Sequence, residues 1–192
     1  MLPSSIPIPI PGGLHDPLPR FVEVGQKFDL SALSDINAAV AEQFQRFAEA
    51  NLTGKSIAIG VGSRGIKQQP EVVKALIREL KGAGAEPFII PAMGSHGGGS
   101  AEGQTAVLAS YGYTEENVGA PIRSSLEVVE LGRIEPNIPV YCDKLAMEAD
   151  HIIMCNRVKP HTDFRANHES GLVKMVAIGM AKHAGATALH FH

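Results

Sequence analysis

Imidazole is concentrated at the carboxyl end of this chain. Six of the eight histidines fall in the last 42 residues, from His151 to His192, and they share that stretch with Lys174, which is flanked by Leu172, Val173, Met175 and Val176. Imidazole titrates near neutrality and is the commonest metal ligand. If the apolar run around Lys174 is buried, the lysine is partly desolvated, which lowers its pKa and yields a nucleophilic amine. The combination predicts a metal-assisted or covalent-cofactor active site near the carboxyl end.

Two glycine-rich turns add to it. Gly60, Gly62 and Gly65 fit the G-x-G-x-x-G spacing of a dinucleotide-binding turn. Two features oppose that reading: Ile66–Gln69 intervene before a helix can open at Pro70, and the acidic residue expected at the end of the second strand is replaced by Glu86 at its start. Ser63 and Arg64 still suit an anion, because loop amides and a guanidinium then face one crevice. A turn chosen only for tight strand–helix packing is the plainer alternative. The second turn, from Gly94 to Ser100, carries His96 followed by three glycines, which would let a ligand come close to the backbone. A solvated loop histidine is the plainer reading there.

These residues need strands and helices to hold them. Lys55–Val61, Glu86–Pro91, Leu126–Leu131 and His151–Cys155 read as strands, and Arg20–Phe28 as a short one. Residues 34–51 have helical periodicity through Ile36, Val40, Phe44 and Phe47, with Ser34 as the cap. A second helix is predicted from about Pro70 through Lys81, with Gly82 and Gly84 past its end. Ser100 can cap a helix through Ser110, and Lys144–Glu148 is a helical turn. Strands alternating with helices predict an α/β fold: an open, mostly parallel Rossmann-like sheet with helices on both faces. His161 would follow the strand ending at Cys155, in one layer with Arg64 and His96, where such sheets bind ligands.

Composition narrows the function classes. A length of 192 residues, 44% hydrophobic and 19% charged, fits one globular domain. The domain is expected over 20–192, behind an extended proline-rich arm over 1–19. The net charge of −3 without a basic stripe argues against nucleic acid. No apolar stretch of about 18 residues exists, so no membrane partner is expected. Two cysteines, Cys142 and Cys155, do not make a disulfide framework, which points to the cytoplasm.

Taken together, Ser63 and Arg64, Gly94 through His96, His161, the run Ser170-Gly171-Leu172-Val173-Lys174, and His190 sixteen residues past that lysine resemble the nickel-dependent lactate racemases and their homologues acting on other 2-hydroxy acids. The resemblance implies a nickel pincer nucleotide, a pyridinium mononucleotide with two sulfur arms, tethered to Lys174 by a thioamide within the Ser170–Gly171 context. It implies His190 as the protein ligand to nickel, in a tetragonal site that suits nickel(II). His96 and His161 would flank a small 2-hydroxy acid, one taking the hydroxyl proton while the C2 hydrogen leaves as hydride. Ser63 and Arg64 would lie at the cofactor or substrate carboxylate.

The chain departs from that family in three places. Val61 stands where lactate racemases carry an aspartate, and His168 lies in a longer interval between His161 and Lys174, making it a rival acid–base partner. The family also carries a carboxyl-terminal second domain, so this chain reads as an amino-terminal portion truncated at its carboxyl end, with self-association possible through the surface that domain would cover. Two other functions remain open: a non-catalytic module binding a nucleotide or acidic metabolite at Arg64, and a zinc-dependent hydrolase-like site from His161, His168 and His190.

Overall fold

The computed structural model describes residues 20–28, 32–161 and 165–191. The chain divides into two units, Met1–Ala32 and Leu33–His192. In the first, residues 20–28 carry no regular secondary structure, and Phe21, Val22, Val24 and Phe28 are all exposed. The strand expected there is therefore absent: a strand needs a ladder partner, and apolar character alone does not supply one. The arm expected over 1–19 lies outside the described residues.

The second unit is built on three parallel strands in the order β2-β1-β5. They are β1 (Ser56–Val61), β2 (Glu86–Pro91) and β5 (His151–Cys155). The central strand is apolar on both faces because both are covered. On one face Ile57, Ile59 and Val61 pack against Val73, Ile77 and Leu80 of helix α2 (Gln69–Gly82). On the other, Ala58 joins Phe88, Ile90 and Ala92 in a cluster with Cys142, Ala146 and Met180. The expected α/β architecture with a parallel sheet is observed.

Helix α2 follows its sequence signals closely. Pro70 sits in its first turn, and Val73, Ile77 and Leu80 form the buried stripe at helical spacing. It ends in a Schellman closure: Gly84, at φ +81°, donates to Lys81 O and Ala85 donates to Leu80 O. Helix α1 (Ile36–Phe44) is shorter than expected and is capped by Asp35, whose side chain accepts from Ala38 N, instead of by Ser34. Gln45–Phe47 tightens into a 3₁₀ turn and Phe47 is exposed, so the apolar stripe finds nothing to pack on beyond Phe44.

After β2, helix α3 (Ala101–Ser110) is capped by Ser100 as expected, its hydroxyl accepting from Gly103 N. The short α4 (Glu115–Val118) packs on α2, and Lys81 Nζ donates to Gly119 O. Strand β3 (Val128–Ile134) begins within the expected segment, but it pairs antiparallel with a strand not anticipated, β4 (Ile138–Asp143), in a sheet of its own. Pro139 conceals β4 in the sequence, because a proline removes a ladder donor and argues against a strand. Helix α5 (Lys144–Met147) links the hairpin to β5. The carboxyl end runs as α6 (Gly171–Lys174), a π-helical stretch Met175–Met180, and α7 (Lys182–His190). Among the described residues no helix is long and apolar enough to cross a membrane.

One carboxylate pins the start of the β1–β5 ladder. Asp150 pairs with Lys55 Nζ at 2.9 Å and accepts from both Ser56 N and Ser56 Oγ, while its own amide donates to Ser56 Oγ. Those donors hold its carboxyl well below the usual carboxylate range. Because the folded pKa is depressed, the stabilisation is fully present above the unfolded value of about 3.9 and is lost as pH falls towards the folded one. Asp150→Asn should therefore be less stable than wild type at neutral pH, and the difference should shrink below about pH 4; urea melts from pH 7 to pH 2.5 would show it.

Candidate functional site

The register places the ends of the three strands level, since Val61 pairs with Pro91 on one side and with Cys155 on the other. The residues that follow each strand therefore emerge in one layer. They line a crevice of about 530 Å³ together with residues of α6 and the π-helical stretch. Ser63, Arg64, His96, His161, Ser170, Gly171 and Lys174 all line it. Of the histidines given a role from the sequence, His168 and His190 do not.

Strand β1 delivers Gly62, Ser63 and Arg64, and β2 delivers His96 through the glycine turn. Ser63 Oγ lies 2.5 Å from His96 Nδ1. A hydroxyl donates or accepts equally well, so the bond persists in either tautomer of the ring. The turn itself is held from behind: Gln104 of α3, fully buried, donates to Gly94 O and His96 O. Gly97, at φ +66°, is required by packing and not by a ligand, since a Cβ there would meet Gln104 N at 2.6 Å. The expectation that the glycines bare the backbone to a ligand thus fails at Gly97, where the close neighbour is α3.

Beyond β5, the last carbonyl of the strand, Cys155 O, accepts from Gln69 Nε2 of α2 at 2.8 Å. Asn156, Arg157, Lys159 and His161 then line the crevice. His161 is half-buried and its carbonyl accepts from Arg165. His168 is exposed and does not line it. Arg157 and Lys159 escaped the sequence reading because cations in a loop look like solvated surface; only the level ending of the strands brings them to Arg64.

Lys174 corrects the opening expectation. Leu172, Val173 and Val176 are 53%, 50% and 48% exposed, so the run around the lysine is not a buried one. Lys174 lines the crevice, and the next residue, Met175 at the start of the π-helical stretch, reaches Gly62, where an added Cβ would meet Met175 Cε at 2.9 Å. With Arg64, Arg157, Lys159 and Lys174 present and no carboxylate among the described lining residues, the crevice is cationic. That suits a carboxylate or phosphate.

His190 ends α7, exposed, with Nδ1 2.5 Å from Ala186 O. Nδ1–H donates to that carbonyl, which leaves the Nε2 lone pair available to a metal. His183 lies in the first turn of α7. The zinc site from His161, His168 and His190 is not assembled, since no three His, Cys, Asp or Glu side chains among the described residues are grouped to hold a metal. Val61 has no exposed surface and belongs to the core.

The sequence matches the profile of the lactate racemase N-terminal domain over residues 32–192, so the chain belongs to that family. No curated protein matches it.

The crevice wall is least tolerant at Gly179. A Cβ there would meet Ala92 O at 2.7 Å, and Gly94 N donates to Gly179 O, so the π-helical stretch lies directly on the end of β2. Gly179→Ala should push the two apart and cost about 1–3 kcal/mol of stability, read from the midpoint of chemical denaturation at constant m-value.

Proposed function

We propose that this domain forms the amino-terminal part of a 2-hydroxy-acid racemase or epimerase. The observation that carries the reading is the placement of His96 and His161 after β2 and β5, the two strands flanking β1, with Arg64 between them. Those strand ends stand roughly 10 Å apart, twice the inter-strand spacing, which leaves room for one small hydroxy acid. Inverting a carbinol centre requires a proton-transfer group on each side of the substrate. Two imidazoles on either side of a guanidinium meet that requirement.

Arg64, Arg157 and Lys159 hold the carboxylate of the substrate or the phosphate of a nucleotide. His96 takes the hydroxyl proton from one enantiomer, its ring oriented by Ser63, and His161 takes it from the other. For inversion the opposite imidazole, in its protonated form, gives the hydroxyl oxygen its proton once C2 is tetrahedral again, and proton exchange with water restores both rings.

The donor set fits the family's nickel pincer nucleotide. Lys174 offers an amine on the crevice wall for the thioamide, beside Ser170 and Gly171, and His190 offers Nε2 as one nickel ligand. When bound, the group supplies a reversible acceptor for the C2 hydrogen as hydride. A second, carboxyl-terminal domain would complete the site by covering the exposed Leu172, Val173 and Val176. Without that domain, the same apolar surface favours self-association. The cationic lining also serves a second reading, a module that binds an acidic metabolite without turnover.

The full-length protein, co-expressed with pincer-synthesis enzymes, should show a mass increase that Lys174→Ala abolishes. It should interconvert enantiomers of a 2-hydroxy acid, with His96→Ala and His161→Ala each lowering kcat by about 10²–10⁴-fold. Ligand binding that depends on Arg64, with neither adduct nor nickel, would leave the binding module as the answer.

A further inference from the structure

Lys182 and Asp143 are the fully buried charged residues among those described, each at 0% exposure, and they pair with each other at 2.7 Å. Lys182 Nζ also donates to Pro91 O, the last residue of β2. Asp143 uses its other oxygen to cap α5, accepting from Ala146 N at 3.1 Å. One ammonium therefore joins α7, the end of β2 and the end of the β3–β4 hairpin.

The backbone is drawn in to make this junction. Lys182 adopts φ +55°, a left-handed conformation unfavourable for a side chain with a Cβ. It does so at the step from the π-helical stretch to α7, eight residues after Lys174 and eight before His190. On the other side, Pro91 lies five residues before His96. The contacts around the junction are close-packed. Gly185 of α7 lies against Tyr141 of β4, and an added Cβ on Gly94 would lie 3.7 Å from Ala186.

A buried ion pair is a poor source of net stability, because two apolar side chains of like volume do as well or better. What the pair supplies is a directional joint. We infer that Lys182 and Asp143 are positioning residues that lock α7, with His190, to the β2 turn, with His96. This rests on the proposed 2-hydroxy-acid site for its functional meaning, while the joint itself is a property of the fold.

The test separates positioning from stability. Lys182→Met alone strands a buried carboxylate and should lower the thermal midpoint steeply. The double variant Lys182→Met/Asp143→Asn removes both charges and keeps the cap oxygen, so its midpoint should return to within a few degrees of wild type. Its backbone amides at 94–99 and 183–190 should nevertheless exchange with solvent at least about tenfold faster, with those of β1 and α2 unchanged. In the matured full-length enzyme, kcat should fall about tenfold while KM and the Lys174 adduct are retained.

Asp143→Asn alone, in which the buried amine can release its proton, should give the same exchange pattern and guards against a double variant that fails to fold. Wild-type exchange in whichever of these variants folds would overturn the inference. A wild-type protein that neither carries an adduct nor racemises, alongside faster exchange in the variants, would sink the proposed function and leave the joint standing.

Discussion

A strand paired on both edges and covered on both faces has very little freedom, and Ser56–Val61 is such a strand. Its parallel ladders to β2 and β5 are in register to their last residues, so three loops leave the sheet at one height. Sliding either neighbour by one residue would turn its apolar side chains from one cluster to the other. Ile57, Ile59 and Val61 facing α2, and Ala58 facing Phe88 and Met180, forbid that slip. The crevice is a consequence of this register. Arg64, His96 and His161 are far apart in sequence and become neighbours because their strands stop together.

The elements most legible in the sequence are those whose local preference and tertiary burial agree. Helix α2 has its proline and its closing Gly84 where they are predicted, although Gly82 falls inside the helix, and β1, β2 and the Ser100 cap fall in place for the same reason. Legibility fails where tertiary context decides. Residues 20–28 read as a strand from their apolar side chains but have no ladder partner among the described residues, β4 is disguised by Pro139, and the helix over 34–51 is cut short where Phe47 lies exposed. Each of these depends on a neighbour distant in sequence.

The site shows the same division. Ser63, Arg64, His96 and His161 are legible as crevice-lining residues because they lie in loops that follow strands, and Ser170, Gly171 and Lys174 because they resemble a family pattern. The environment of Lys174 was misread, since Leu172, Val173 and Val176 are apolar by type yet lie at the surface. The buried lysine is instead Lys182, flanked by Ala181 and His183, and nothing in its local sequence distinguishes it from a solvated helix residue. Gln69 and Gln104 were equally hidden, because a buried amide is recognised only once the carbonyls it serves are known.

The π-helical stretch Met175–Met180 gives the interval between Lys174 and His190 a meaning beyond its count of sixteen residues. A π segment arises from one residue more than an α-helix of the same reach would use. Deleting a single residue there would let the stretch rewind as ordinary α-helix of the same reach, leaving the following side chains in phase. A deletion that would turn the end of an ordinary helix to another side is here absorbed by the stretch itself, and the terminal imidazole keeps its direction.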